Sequence, residues 1–359
     1  MVVLAANVDI AMWLAIHDQR ADLSRRHLHV LFDLIHDCLR KGGVREMEQP
    51  EISVVIPTYN RKDALERCLN ALRKQILPNA TFEVLVIDDG SAEDVQSLVK
   101  ECADGRITCI RQEQSGANAA RNRGLSEARA PVILFLNDDT IAEPDLLARH
   151  LALHASYPEQ EVAVLGRMTI HPDFAANPLS PLHHDASFAP LAGQEEVGWT
   201  AFFTCNLSVK AAFLARHGQF DERLRWHEDI ELGQRLVPHG LRLLYAPEAL
   251  GYHWHSLDEA QFLRIAEREG TALALWWKKA PDLAPVLGAL GMVGPEALPP
   301  ALRHRLGDAA FATFGDTAAL RLAEQVSPVA PGLSRAIWRK VFQFRKRRAI
   351  REELSRVAS

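Results

Sequence analysis

Acidic side chains gather in pairs directly behind apolar runs. Asp88-Asp89 follows Phe82 to Ile87, and Asn137-Asp138-Asp139 follows Val132 to Leu136. A third pair, Glu228-Asp229, opens an amphipathic stretch, and His253 and His255 alternate in a late run, Gly251 to His255. Carboxylates at the edge of a core are costly unless a cation meets them. Mg²⁺ is commonly held by one or two carboxylates together with phosphate oxygens, so the end at Asp138-Asp139 suits a divalent ion bridging to a phosphorylated ligand. Residues two apart in a strand share a face, which sets His253 beside His255. Plain structural roles compete with each of these readings. Asp138-Asp139 could be a loop that leads into a helix after Glu143-Pro144-Asp145. Glu228-Asp229 could simply serve a helix N-terminus, where the macrodipole favours negative charge. The histidines could lie on a surface edge strand.

The elements that must position these groups are legible from apolar spacing. Ile52 to Ile56 reads as a buried strand stopped by Pro57-Thr58-Tyr59-Asn60. Ala64, Leu65, Cys68, Leu69, Leu72 and Ile76 recur at helical spacing, which predicts a helix over 61–75. Strands over 82–87, 107–110, 132–136 and 162–168 alternate with helices over 92–101, 118–128 and 145–156, with a glycine turn at Ser115-Gly116. That alternation predicts βαβ units, a parallel sheet and right-handed crossovers. Ligands of such sheets bind at the carboxyl ends of the strands. The proline-rich stretch 171–196 has little periodicity and predicts a long loop or lid, with His183-His184-Asp185 as a solvent-facing triplet. A helix over 226–236, a strand, turn and strand over 241–255, and a long helix over 257–279 follow.

Composition bounds the class. The 359 residues are 48% apolar and 24% charged, which fits a soluble globular protein, and the net charge of −5 gives no global case for nucleic acid. Five cysteines without a C-x-x-C pair read as reduced thiols of a cytoplasmic protein. Residues 1–16 carry Asp9 and no basic start, against a signal peptide, and no apolar run reaches membrane-spanning length. The expected plan is a helical extension over 1–50, an α/β domain over 51–280, a small helical subdomain over 281–333 and a basic amphipathic tail over 334–359. Helix 23–39 in the extension holds His27, His29 and His36, without the spacing that metal binding asks for. In the tail, Ile337, Trp338, Val341, Phe342 and Phe344 supply apolar bulk among Arg335, Arg339, Lys340, Arg345, Lys346, Arg347 and Arg348. Two readings stand for it. Either the aromatics pack on the helical subdomain, or 334–351 lies on an anionic membrane as an interfacial helix, peripheral at the inner leaflet.

Taken together, Pro57-Thr58-Tyr59-Asn60, Asp88-Asp89-Gly90-Ser91, the run Gly116 to Gly124, Asn137-Asp138-Asp139, Glu228-Asp229 and the late histidines resemble the family 2 glycosyltransferases of GT-A fold. The resemblance covers roughly residues 51–275. It implies a Rossmann-like, mostly parallel sheet flanked by helices, with helical N- and C-terminal additions, and a nucleotide-sugar site. Pro57, Tyr59, Asn60 and Arg61 would flank base and ribose. Asp89 would accept a hydrogen bond from the base imide, which favours uridine or thymidine diphosphate sugars, with guanosine next. Gly116 and Arg121 would lie near base and phosphates, and Asn137 and Asp138 near ribose or sugar. Asn137 departs from the acidic residue usual in first place. Asp139 would ligate Mg²⁺ or Mn²⁺, with His253 as a further ligand and His255 as its stand-in. Asn206, in Cys205-Asn206-Leu207-Ser208, would line donor sugar and acceptor.

The same resemblance makes Asp229 the base that takes the acceptor hydroxyl's proton, with Glu228 orienting the acceptor or supporting Asp229. In-line attack with one carboxylate base implies inversion at the anomeric carbon. The Gln-x-x-Arg-Trp motif and membrane helices of processive relatives are missing, which favours a single addition. A dehydrogenase would want Gly-x-Gly-x-x-Gly after the first strand, and a sugar nucleotidyltransferase a glycine-rich basic loop there; the chain offers neither. A non-catalytic nucleotide-sugar-binding protein is the alternative of a different class.

Overall fold

Val54 and Ile56 point to one side of their strand and Val55 to the other, and all three are fully buried. Strands apolar on both faces need cover on both faces, which is the condition for a central sheet between helical layers. The computed structural model describes residues 49–280 and 308–356, apart from positions 79, 175, 176, 178, 310, 312 and 314. The first extension up to residue 48, with helix 23–39, and all of 281–307 lie outside the described residues.

Strands β1 (Ile52–Thr58), β2 (Phe82–Asp88), β3 (Ile107–Arg111) and β4 (Val132–Leu136) run parallel in the order β3-β2-β1-β4. Helices α1 (Lys62–Leu72), α2 (Val95–Glu101) and α3 (Ala117–Glu127) connect them. Beyond β4, the sheet continues through β8 (Asn206–Lys210), β6 (Val162–Ile170), β9 (Arg242–His253) and β5 (Thr140–Ala142), with β7 (Glu196–Val197) also on β9. β8 is antiparallel to both neighbours, while β6 and β9 are parallel. Ile52, Val54, Ile56, Val84 and Val86 meet Leu65, Leu69 and Leu72 of α1 on one face. Val55, Leu85, Ile87, Ile133 and Phe135 form the other core.

The predicted strand, turn and strand over 241–255 is one strand. Gly166 pairs with Ala246 and the next residue, Arg167, with Leu250. Pro247, Glu248 and Ala249 are therefore extruded as a bulge, where a proline without an N–H is tolerated. The stretch 171–196 is not a plain loop either. Leu179–Phe188 forms helix α5, and Leu179 packs in one apolar cluster with Phe262 and Trp338.

α4 (Leu146–Ser156), α6 (Ala211–His217) and α7 (Glu228–Leu236) complete the layers, and α8 (Glu259–Lys279), α9 (Asp316–Val326) and α10 (Pro331–Ser355) form a C-terminal helical portion. α8 opens with a capping box, Asp258 accepting from Gln261 N while the Gln261 side chain accepts from Asp258 N. α10 lies along α8 at close range, because a Cβ on Gly270 would stand 2.4 Å from the Lys346 carbonyl oxygen. Trp338, Val341, Phe344 and Ile350 are buried there, and the Phe262 ring lies 5.7 Å from Trp338 and 4.9 Å from Phe342. Arg345 and Arg348 pair with Glu267, Lys346 with Glu269 and Arg347 with Asp308.

This corrects the membrane reading of 334–351. The aromatic face that would enter a bilayer is already used by the protein, and much of the charge is paired. No described helix is long and apolar enough to cross a membrane. Cys68, Cys102, Cys109 and Cys205 are free thiols.

Candidate active site

Each acidic strand end is fixed by a neighbour that follows another strand. At the end of β4, Thr58 Oγ1 donates to Asp138 Oδ2 at 2.9 Å. Arg61, at the entry to α1, bridges the pair: Nη1 donates to Asp138 Oδ1 at 2.7 Å and Nη2 to Asp139 Oδ2 at 2.9 Å. Burial pushes the Asp138 carboxyl up to about 6, against the pull of Arg61. Burial acts on Asp139 too, but hydrogen bonds with His253 and His255 and the charge of Arg61 outweigh it and hold this carboxyl well below its usual range.

The histidines reach Asp139 through the sheet. Thr140, the next residue after Asp139, pairs with His253 across β5 and β9, and Trp254 N donates to the Asp139 carbonyl at 2.8 Å. His253 Nδ1 then lies 3.5 Å from Asp139 Oδ1, and His255 Nδ1 2.9 Å from Oδ2. Candidate ligand atoms of all three residues fall within 4.8 Å of one another. One carboxylate and two imidazoles are a mixed N/O donor set, which fits a divalent transition ion better than Mg²⁺, a cation of oxygen sites.

At the end of β2 the two carboxylates divide their work. Asp88 is fully buried, accepting from Ser91 N and from Arg111 Nη1. Asp89 accepts from Gln112 Nε2 and Ser115 N on one oxygen and from Gly116 N on the other, each at 2.8 Å. Three of a carboxylate's roughly four acceptor positions are thus taken within the protein. Gly116 has φ 100°, a backbone conformation that residues with a side chain rarely adopt, so this turn favours glycine. Asn60, with φ 52°, ties the first loop to the second: its N donates to Ser91 Oγ and its Oδ1 accepts from Ala92 N. Tyr59 beside it is exposed and Pro57 half-buried, while Asn137 contributes its carbonyl to Thr140 N.

The third pair stands at the start of α7. His227, just before it, adopts φ 58°, a left-handed conformation that few non-glycine residues adopt. Glu228 accepts from Arg121 Nη1 of α3 at 2.8 Å. Asp229 is half-buried, accepting from Ile230 N at 2.8 Å and Thr204 N at 3.1 Å. Burial, then the charge of Glu228, raises its carboxyl to about 6, with Arg121 opposing. α3 also pins the loop before α7, since Asn118 donates to the carbonyls of Asp221 and Leu224 and Asn122 to that of Phe220. The two acidic centres meet around the start of β8, where Asp229 holds Thr204 N and Asn206 pairs with Leu136, the residue before Asn137-Asp138-Asp139. Burial first, then the charge of Asp229 and of Asp139, raises the pKa of Cys205.

Asn206 is a correction. It is fully buried, its Nδ2 donates to the carbonyls of Ala249 and Arg167, and its Oδ1 lies 2.9 Å from His150 Nε2. No part of that amide is left for a sugar. It belongs instead to a buried network in which Ser208 Oγ lies 2.8 Å from His150 Nδ1 and 2.9 Å from His154 Nε2. His183 and His184 are a second correction. They are not solvated loop residues but stand on α5, the His184 ring 4.2 Å from that of His253. Burial, then neighbouring histidines, lowers the pKa of His184. Thr58 and Thr204 were not singled out in the sequence, because nothing local marks a threonine whose partner lies 80 or 25 residues away.

With this geometry in place, comparison with known proteins is direct. A family model, Glycosyl transferase family 2, matches residues 53–209. Validoxylamine A glucosyltransferase of Streptomyces hygroscopicus subsp. jinggangensis is 34% identical over 292 residues, covering 69% of this chain and 67% of that protein. The chain belongs to glycosyltransferase family 2. It spans 62% of the length of the protein of the same name from subsp. limoneus, also 34% identical. Glycosyltransferase AglE of Haloferax volcanii is 27% identical over 247 residues, covering 63% of this chain and 80% of that protein. In architecture, the mannosyltransferase of Pyrobaculum calidifontis solved with GDP-Man and Mn²⁺ superposes with a TM-score of 0.57 at 21% identity, over 91% of this chain and 96% of that one. That likeness is to the GT-A fold, a mixed, mostly parallel sheet flanked by helices.

Proposed function

We propose that this family 2 member moves a single sugar from a nucleoside-diphosphate sugar to a hydroxyl acceptor, with inversion and with a divalent ion. One observation carries the reading: Asp229, a half-buried carboxylate that burial raises to about 6, holds Thr204 N just before β8, the strand paired with the end of β4 that leads to Asp139 and its partners His253 and His255. An acceptor hydroxyl is a poor nucleophile at neutral pH. A base with a pKa near the working pH combines availability with proton affinity. Asp229 takes that proton, and its backbone partners, Thr204 N and Ile230 N, fix the direction in which the carboxylate faces. Glu228, held by Arg121, keeps negative charge beside it and orients the acceptor.

On the donor side, Asp139 with His253 and His255 would hold the ion, which when bound offsets charge on the leaving diphosphate. Arg61, Asp138 and Arg121 contact the sugar, ribose and phosphates, and Pro57, Tyr59, Asn60, Asn137 and Gly116 frame the nucleoside. Asp89 fixes the turn at Ser115-Gly116 and has an acceptor position left for a base imide, as in uracil, thymine or guanine. The mannosyltransferase of like fold bound to GDP-Man and Mn²⁺ supports this assignment of donor class and ion.

The test is release of nucleoside diphosphate from UDP-, dTDP-, GDP- and ADP-sugars, with and without Mn²⁺. Uridine or thymidine donors are expected to lead, guanosine to follow and adenosine to fail. Asp229→Asn should lower transfer by roughly 10²–10⁴-fold with donor affinity little changed. Full transfer by that variant would move the base role to Glu228, and no release from any donor would favour a binding protein instead.

A further inference from the structure

α5 brings another imidazole to the edge of the Asp139 cluster, beside the three residues whose donor atoms lie within 4.8 Å of one another. The ring centroid of His184 lies 4.2 Å from that of His253 and 5.0 Å from that of His255, while those two are 6.1 Å apart. His184 Nε2 is buried and has no hydrogen-bond partner. Leaving a buried polar atom unmatched costs roughly 1–3 kcal/mol, and a histidine that served only as packing would be better replaced by an apolar ring. The placement is also held on both sides. The next residue, Asp185, accepts from Thr169 Oγ1 at 2.8 Å and from Ile170 N at 3.4 Å, and Ile170 is the β6 residue paired with His253. At the other end of α5, Ser180 Oγ accepts from Leu257 N at 2.8 Å. The helix is thus fastened to the ends of the strands that carry the cluster, with His184 between the fastenings.

We propose that His184 is a further ligand of the divalent ion at Asp139, supplied by α5, so that the centre consists of one carboxylate and three imidazoles. The proposal rests on the metal reading of Asp139, His253 and His255. A centre this rich in nitrogen selects Mn²⁺ or another transition ion over Mg²⁺, and it is complete only while α5 is seated.

Pulsed electron paramagnetic resonance of the full-length protein loaded with Mn²⁺, alone and with UDP or GDP, counts the imidazole nitrogens coupled to the ion. The wild type is expected to show three coupled imidazoles and His184→Gln two, with Mn²⁺ affinity lower by at least the roughly 10–100-fold seen for lost supporting contacts. His184→Phe separates ligation from packing: it keeps a ring against His253, and should behave like His184→Gln. Two coupled imidazoles in the wild type overturn the role of His184 and leave the centre standing, as does wild-type Mn²⁺ affinity in His184→Phe. No coupled imidazole in the wild type, with Mn²⁺ uptake unchanged in Asp139→Ala, removes the centre and His184 with it. The wild-type count decides even where a variant fails to fold.

Discussion

Arg121 Nη1 donates to Glu228 Oε1 at 2.8 Å, joining residues 107 positions apart. This contact places opposite charges on either side of the question of when Asp229 is ionised. Glu228 raises the Asp229 pKa and Arg121 lowers it.

The acid limb of kcat/KM follows from that balance. With Asp229 near 6, transfer should hold above that pH and fall as pH drops through it, because the base works only unprotonated. Glu228→Gln removes the nearby negative charge, so the limb should move to lower pH. Profiles of wild type and variant measured over pH 4–8 check this. A limb that stays in place would belong to another group.

The metal site predicts a coupled titration. In calorimetry, Mn²⁺ should tighten binding of the nucleoside diphosphate and the diphosphate should tighten Mn²⁺ in equal measure, as linkage requires. Asp139→Ala should lose both effects. Wild-type coupling in that variant would place the ion elsewhere.

How much of this was visible beforehand depends on the range of each signal. The strands ending in Asp89 and Asp139 were legible because apolar runs and the carboxylates behind them are neighbours in sequence. The pairing of His253 with His255 followed from strand period. Asn206 misled, because its segment resembles the small-polar lining of donor and acceptor in the family, and only its pairing with His150 reveals a structural role. α5 was read as loop because its prolines and histidines mask a short helix whose apolar partners, Phe262 and Trp338, lie far along the chain. The stretch around Pro247 reads in sequence as a turn between two strands, because a bulge and a turn look alike when the partner strand is unknown.

The histidine network behind β8 predicts loss of stability in acid. Burial lowers His150 to about 4 and His154, with help from His150 and Lys210, to about 3, against 6.5 for an unfolded imidazole. The unfolded chain therefore binds more protons between these values, so this contribution is whole above about pH 6.5 and declines as pH falls toward 4. At about 1.4 kcal/mol per pKa unit, the decline should reach a few kcal/mol. Melting temperature against pH should fall less steeply in His154→Gln. Equal slopes in both proteins would refute it.

The C-terminal helix predicts a negative result with a positive counterpart. Full-length protein should not float with anionic liposomes even at low salt, since Trp338, Val341 and Phe344 are already buried. Removing residues 331–359 should instead lower the melting temperature by exposing Phe262 and Leu320 of the same cluster. Flotation of the intact protein would restore the membrane reading.

The Arg61 bridge changes what it means for a cation to enter this site. Asp138 and Asp139 are not a bare negative pocket, because a guanidinium on a half-exposed side chain already sits across both. On the metal reading of Asp139, an arriving ion would take over a carboxylate oxygen that has an occupant, so loading would be an exchange of one positive group for another. The displaced arginine stays tethered to the loop after β1, next to where the donor's phosphates would lie. On that reading, metal and donor would be loaded together, the resident cation passing from protein carboxylate to substrate phosphate.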